Sequence, residues 1–348
     1  TTDRAAFRTG VGLTDSRRVK PERRACDDTR RGIPRRTSLR GAVAETEART
    51  PLARDGRSGR SSAASLRNVG ASDDPRWQVN PYFCDGPTII NVSGGRTSAL
   101  MLRRIVEAHD GALPPETFAV FANTGRERYA TLTFLATMAA RWGVTIHWIE
   151  RDHTKPSGQR FRVVTSETAS RKGEPFEQLI TERRFLPNGI ARFCTQETKI
   201  IPARDFMRSH GFDHWTSVMG LRFDEPARVS RVRAREPDEW DVACPLYDAR
   251  VTGANVLAFW RAQPFDLGLR PHESNCDGCY LKSAAILERI ERDHPGTLDW
   301  WDAQEKRIGA TFKPNLPRAK IIARARLPML PLALDADEDP SLPCNCTD

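Results

Sequence analysis

Between residues 88 and 149, short runs of β-branched and aromatic residues alternate with longer stretches whose apolar positions recur at helical spacing. Residues 88–92 (TIINV), 117–122 (TFAVFA) and 144–149 (VTIHWI) read as buried strands. The stretches 97–108 and 129–142 read as helices, the second closed by Gly143. Strands alternating with helices over such short connections predict an α/β fold, with a doubly wound, mainly parallel sheet and helices on both faces. In such sheets ligands sit beyond the carboxyl ends of the strands. Residues 93–98, 123–127 and 150–153 are therefore expected to converge on one edge.

Beyond residue 152 the pattern loosens. A helix is expected over 174–183, and 192–195 (RFCT) leads into a helix ending near Gly211. A strand over 215–219 is followed by 220–228 (GLRFDEPAR), and 244–252 (CPLYDARVT) precedes a helix through Trp260. The segment 275–282 (NCDGCYLK) is expected to open a helix reaching about Arg292, and a further helix carries Trp300 and Trp301. After Thr311 the chain turns proline-rich and acidic and ends in Cys344-Asn-Cys346. No internal repeat is present. The predicted organisation is a disordered basic segment over 1–80, an α/β domain with a helical, cysteine-bearing C-terminal part over 87–312, and a tail over 313–348.

Charge changes the picture less than its total suggests. The net charge of +9 is concentrated at the start: residues 1–75 carry 17 Lys plus Arg against 10 Asp plus Glu, leaving 37 against 35 for the remainder. Non-specific phosphate binding by the folded part is not supported. With Phe7 as its only aromatic, the first segment cannot bury enough surface to offset chain entropy and is expected to be dispensable. Its ten acidic residues argue against an organelle transit peptide; a basic tethering arm is the alternative. No apolar run approaches membrane-spanning length, so a cytoplasmic, reducing setting is expected, in which Cys-x-x-Cys is better read as metal or redox ligands than as a disulfide. His147 reads as a sheet residue, and His153, His210, His214 and His272 show no metal-ligand spacing.

The candidate chemistry begins at Ser93-Gly94-Gly95-Arg96-Thr97-Ser98, between the first strand and the first helix. Glycines let the backbone approach a phosphate, first-turn N–H groups point outward and the helix dipole favours an anion. The alternative is an ordinary turn whose Ser and Thr residues only cap the helix. Four later segments follow in fixed order: Asn123-Thr124-Gly125-Arg126-Glu127, Phe193-Cys194-Thr195, Gly220-x-Arg222-x-x-Glu225-x-x-Arg228, and Cys276-x-x-Cys279.

Together these resemble the phosphoadenosine phosphosulfate (PAPS) reductase family, within the adenine-nucleotide alpha hydrolases that include the PP-loop ATP pyrophosphatases, and in particular its compact phage-type members. The resemblance covers about residues 88–311. It implies an enzyme that binds an adenine nucleotide, PAPS or ATP, and carries out sulfur transfer or reduction. ATP-dependent activation for sulfur insertion into a nucleic acid or small molecule is one alternative, and a non-catalytic nucleotide-binding module another. The implied nucleotide-binding residues are Ser93, Gly94, Gly95, Arg96, Thr97, Ser98, Asn123, Thr124, Gly125, Glu127, Arg222, Glu225 and Arg228. Implied partners are a thiol electron donor or sulfur donor protein, with nucleic acid entering only as a sulfur acceptor, and no membrane. ATP pyrophosphatases usually carry Asp where Thr97 stands here, so a Mg²⁺-binding charge is missing from the loop.

Iron–sulfur members of the family carry a Cys-Cys pair and a distant Cys-x-x-Cys. Here Phe193-Cys194 fills only half of the pair, and the resemblance implies a 4Fe-4S cluster held by Cys194, Cys276 and Cys279 with Cys244 as fourth ligand. Zinc on the same four thiols, or ordinary buried thiols, are the alternatives. Sulfate-reducing members also carry a nucleophilic cysteine in a C-terminal Glu-Cys-Gly motif, which is absent; Cys344 and Cys346 are the candidate catalytic thiols in its place.

Overall fold

The expected strands join one six-stranded sheet in the computed structural model, which describes residues 80–234 and 240–328. The strands are β1 (Thr88–Asn91), β2 (Thr117–Asn123), β3 (Ile146–Arg151), β4 (Phe161–Val164), β5 (Trp215–Val218) and β6 (Trp240–Ala243), in the order β4-β3-β2-β1-β5-β6. β2, β3, β5 and β6 continue the parallel register of β1, with Thr88 opposite both Thr117 and Thr216; β4 alone runs antiparallel, on β3. β4 and β6 are edge strands with no fully buried residue, so they lack the apolar run that marks a central strand.

Alternation along the central strands builds two cores. Ile90, Ala119, Phe121, Trp148 and Val218 face α1 (Arg96–Ala108), α2 (Tyr129–Trp142) and α8 (Gly253–Arg261). Ile89, Val120, Ile149 and Trp215 face α5 (Ile201–Ser209) through Phe206 and Met207. Each fully buried aliphatic side chain contributes about 1.5–3 kcal/mol. The fold is thus a doubly wound α/β sheet with helices on both faces, completed by α3 (Glu174–Arg183), α4 (Phe193–Thr195), α6 (Pro226–Arg233), α7 (Pro245–Asp248), α9 (Ala284–Asp293), α10 (Asp299–Ile308) and α11 (Arg318–Ala325). None of the described helices is long and apolar enough to cross a membrane.

Two expectations are corrected and one is sharpened. The helix expected after Thr195 and ending near Gly211 runs without a break from α4 through a π turn over Gln196–Ile200 into α5, whose first turn carries Pro202. Residues 276–282 do not open a helix: α9 starts at Ala284, where the Ser283 hydroxyl caps it by accepting the Ile286 N–H. The chain does not become a tail at 313 either. α11 packs Ile321 and Ile322 into a third core with Phe176, Leu179, Leu287, Trp301 and Phe312. The masking of α11 in the sequence follows from the prolines just before it and its basic, weakly apolar composition.

Candidate functional site

β1 occupies the middle of the sheet. The chain runs outward from it through β2 and β3, then returns to its other side at β5. The loops after β1 and β5 therefore flank the point where strand order reverses, where doubly wound sheets open a ligand crevice.

The β1 loop is tied to the first turn of α1 through the Ser98 hydroxyl. The Ser93 N–H donates to Ser98 Oγ at 3.1 Å, the two hydroxyls are 3.0 Å apart, and Ser98 Oγ donates to the Gly95 carbonyl at 3.1 Å. Gly95 is the N-cap of α1 and no side chain caps the first turn, so the capping alternative is not what the loop is built for. Gly94 has φ +77°, and a Cβ there would sit 2.5 Å from Thr131 Cγ2. Arg96 is corrected: its guanidinium turns away, donating to Asp266 at 2.7 and 2.5 Å and to the Leu269 carbonyl at 3.1 Å. It clamps the segment after α8 and is not presented to the loop's mouth.

The β5 loop meets this turn. Gly220 lies so close that a Cβ would be 3.2 Å from Ser98 Cα, and Arg222 Nη1 donates to Thr97 Oγ1 at 3.5 Å. Glu225, 8% exposed, accepts the Arg222 N–H at 3.1 Å and pairs with Arg228. Arg222 Nε also donates to Asp224 at 2.9 Å. Burial works against charge on Asp224, but the bonds from Arg222 and from the Gly253 N–H outweigh it and hold the carboxyl below its usual range. Arg222, Glu225 and Arg228 are a partly buried ion cluster, whose guanidinium groups suit an oxyanion. Thr97 adds a hydroxyl and no charge to this side of the crevice.

The β2 loop divides into two roles. Asn123 is fully buried and spent on structure, its amide donating to Glu150 at 2.6 Å and to the Ser170 carbonyl at 2.8 Å. Thr124 donates to the Glu127 carboxyl through its N–H and hydroxyl, both at 2.9 Å. Burial pushes the Glu127 pKa up, partly countered by Lys199 and by the Thr124 bonds. Gly125 has φ +80° and abuts Gly173.

Sequence reasoning missed the residue that joins these parts. Asn275 donates from Nδ2 to the Ser93 carbonyl at 2.6 Å, accepts the Arg128 N–H at its own carbonyl at 2.8 Å, and lies 3.5 Å from Thr131 Oγ1. The next residue, Cys276, bridges to Glu127 as an isolated antiparallel pair. One short segment thus touches the β1 loop, the β2 loop and the cysteines. Only its place directly before Cys276 could have drawn attention to it.

Cys194, Cys276 and Cys279 line one cavity of about 40 Å³ with Thr124, Lys199 and Tyr280. The Cys194 sulfur lies 3.3 Å from the Tyr280 hydroxyl. Burial raises the Tyr280 pKa well above its usual value, and the neighbouring Cys194 and Cys279 add to it. The Cys-x-x-Cys turn is braced from below: Trp301 Nε1 donates to Asp277 at 2.9 Å, and Arg126 pairs with the same carboxyl while lying over the Trp300 ring. A Cβ on Gly278 would fall 2.1 Å from Trp301 Nε1. Among the described residues, no group of three or more His, Cys, Asp or Glu is drawn together to hold a single metal ion.

Cys244 is corrected as the fourth ligand. It is fully buried in a separate core with Leu221, Val229 and Val232, and burial pushes its thiol pKa up to about 11. It fills space beneath the edge of the sheet. Cys344 and Cys346 lie outside the described residues, as does nearly all of the 1–80 segment.

No family model matches the chain. It is 27% identical over 214 residues to the uncharacterized nin region protein ORF290 of Escherichia phage lambda, a match that spans 60% of this chain and 70% of the phage protein. Among solved structures it is similar to the U34-tRNA thiolase NcsA of Methanococcus maripaludis with its 4Fe-4S cluster, at a TM-score of 0.35 and 13% identity over 69% of this chain and 81% of that one. These are likenesses of chain and of outline; the chemistry of the crevice and the cavity rests on the residues described above.

Proposed function

We propose that this chain is an enzyme that binds an adenine nucleotide by its phosphates in the crevice between β1 and β5 and carries out sulfur transfer at the adjoining cysteines. The observation that carries the reading is the Asn275-Cys276 segment: Asn275 holds the Ser93 carbonyl of the phosphate loop, and the very next residue supplies a cavity thiol. The uncapped first turn of α1 and Gly94 offer backbone N–H groups and close approach to a phosphate. Arg222 and Arg228, fixed by Glu225, supply the compensating charge. Lys199 lines the cavity, where a cation favours a sulfur anion.

The three cavity thiols fit a thiolate-ligated group by donor chemistry, and the buried Arg318, whose Nη2 reaches the Gly278 carbonyl of the Cys-x-x-Cys turn, keeps Nε and Nη1 without a hydrogen-bond partner. An iron–sulfur group is the polynuclear member of that class and zinc the mononuclear one. Such a group would be held by Cys194, Cys276 and Cys279, and when bound supplies a site for sulfur or electron transfer. Tyr280 orients Cys194, and the Arg126–Asp277–Trp301 brace sets the Cys-x-x-Cys turn.

A second reading, reduction of a sulfonucleotide, is favoured by Thr97: the loop offers a hydroxyl paired with Arg222 where magnesium would need a carboxylate. Supplying purified protein with ATP or with PAPS, each with a thiol reductant, separates the two. Pyrophosphate from ATP supports activation for sulfur transfer, and sulfite from PAPS supports reduction. Failure to bind either nucleotide in a calorimetric titration overturns the proposal as a whole.

A further inference from the structure

Arg318, the first residue of α11, is 0% exposed. Its backbone N–H donates to Glu305 at 2.6 Å, and Nη2 reaches the Gly278 carbonyl at 3.3 Å, inside the Cys-x-x-Cys turn. Nε and Nη1 have no hydrogen-bond partner. The guanidinium lies over the Phe312 ring, 5.6 Å from its centroid. Glu305 does not complete it: the two carboxyl oxygens accept the backbone N–H groups of Phe312 and Arg318. The other acidic groups that act on Arg318 are Cys279 and Cys276.

Two more cations back the same turn. Lys282 Nζ donates to the carbonyls of Cys276 and Asp277 at 2.7 and 3.1 Å, and Lys313 Nζ donates to the Lys282 carbonyl. A buried cation with unmade hydrogen bonds costs several kcal/mol unless negative charge lies close by. Glu305 is the leading negative charge acting on Arg318 but bonds only its backbone N–H, and Asp277 is engaged by Arg126 and Trp301, so the thiols of Cys279 and Cys276 are the next acidic groups that act on the guanidinium.

We propose that Arg318 is a positioning residue of the cysteine centre: its unsatisfied guanidinium edge is the fixed counter-charge for an anionic, thiolate-ligated metal group held through Cys276 and Cys279. This rests on the reading of the three cysteines as a metal-binding set. It assigns α11 an electrostatic role, beyond packing, in the selection of an anionic occupant.

The test uses the full chain, reconstituted anaerobically with ferrous iron plus sulfide, and in parallel with Zn²⁺ alone, then desalted. Wild type is expected to retain metal. Arg318→Gln is expected to retain at least tenfold less or, where iron remains, to show a more negative reduction potential with an altered visible spectrum. Arg318→Lys, which keeps the charge, is expected to stay within about twofold of wild type. Circular dichroism checks folding; should the Gln variant not fold, a folded Lys variant decides, retention supporting the counter-charge and loss overturning it. A folded Gln variant with full retention and unshifted potential also overturns it while leaving the metal reading intact. Wild-type protein that retains neither metal overturns the metal reading first, and the role of Arg318 with it.

Discussion

The crevice at β1 and the cavity at the cysteines are built by different means. The crevice takes most of its parts from continuous stretches: residues 93–98 form one turn, and 220–228 form the loop that meets it. Its shape follows from the parallel sheet, which delivers both loops to the same edge. The cavity instead draws Cys194 from α4 and Cys276 and Cys279 from a turn before α9, with the buried Arg318 of α11 behind that turn. Those segments have no backbone ladder in common. They are held by their own core of Phe176, Leu179, Tyr280, Trp301 and Phe312. The difference teaches that the crevice is a property of the sheet, whereas the cavity is a property of side-chain packing and is the more easily lost.

The largest effect should come from that packing. Gly278→Ala places a methyl group 2.1 Å from Trp301 Nε1, and Trp301 is 1% exposed with its indole committed to Asp277. Overpacking of this kind costs about 1–3 kcal/mol, and more where the neighbour cannot yield. A lower melting temperature is expected, with metal retention at the cysteines reduced at least tenfold while nucleotide affinity changes by less than about threefold. Calorimetry and metal analysis on the same sample check both. Equal loss of nucleotide binding would show that the two regions are not built independently.

Asn275→Ala should blur the comparison by cutting a stitch between the regions. Its amide leaves the Ser93 carbonyl without this 2.6 Å donor, in a partly buried setting where a lost hydrogen bond costs about 1–3 kcal/mol. Nucleotide affinity and metal retention are both expected to fall, each by about three- to tenfold. A drop in one alone would mean that the shared segment carries no coupling.

How much of this was legible follows the same division. Central strands announced themselves because residues such as Ile89, Ile90, Val120 and Phe121 are buried on both faces, and the switch-point loops could be placed from strand order alone. Arg96 misled because its type and position fit a phosphate ligand, while Asp266, far along the chain, claims its guanidinium. Cys244 misled because spacing counts thiols and cannot show which core each one enters. Arg318 carried no signal at all: an arginine in a basic, alanine-containing segment gives no hint that it will be buried behind a cysteine turn. Local motifs encode backbone geometry, and long-range side-chain partners decide the charges.

The smallest expected effect tests whether Arg96 belongs to the crevice or only to its frame. The hydrogen bond from Arg96 is the leading cause that holds the Asp266 carboxyl below its usual range. A carboxyl depressed in the folded state stabilises the fold above its unfolded pKa of about 4, and that contribution is lost as pH falls through the lower folded value. Because the pair is partly exposed, solvent screening limits it to less than about 1 kcal/mol. Asp266→Asn should therefore melt slightly below wild type at pH 7, with the gap closing as pH falls from about 5 to 3. Nucleotide affinity at pH 7 should stay within about twofold of wild type, since the guanidinium points to the segment after α8 and away from the turn over residues 93–98. A tenfold loss of affinity with an unchanged melting temperature would instead return Arg96 to the crevice.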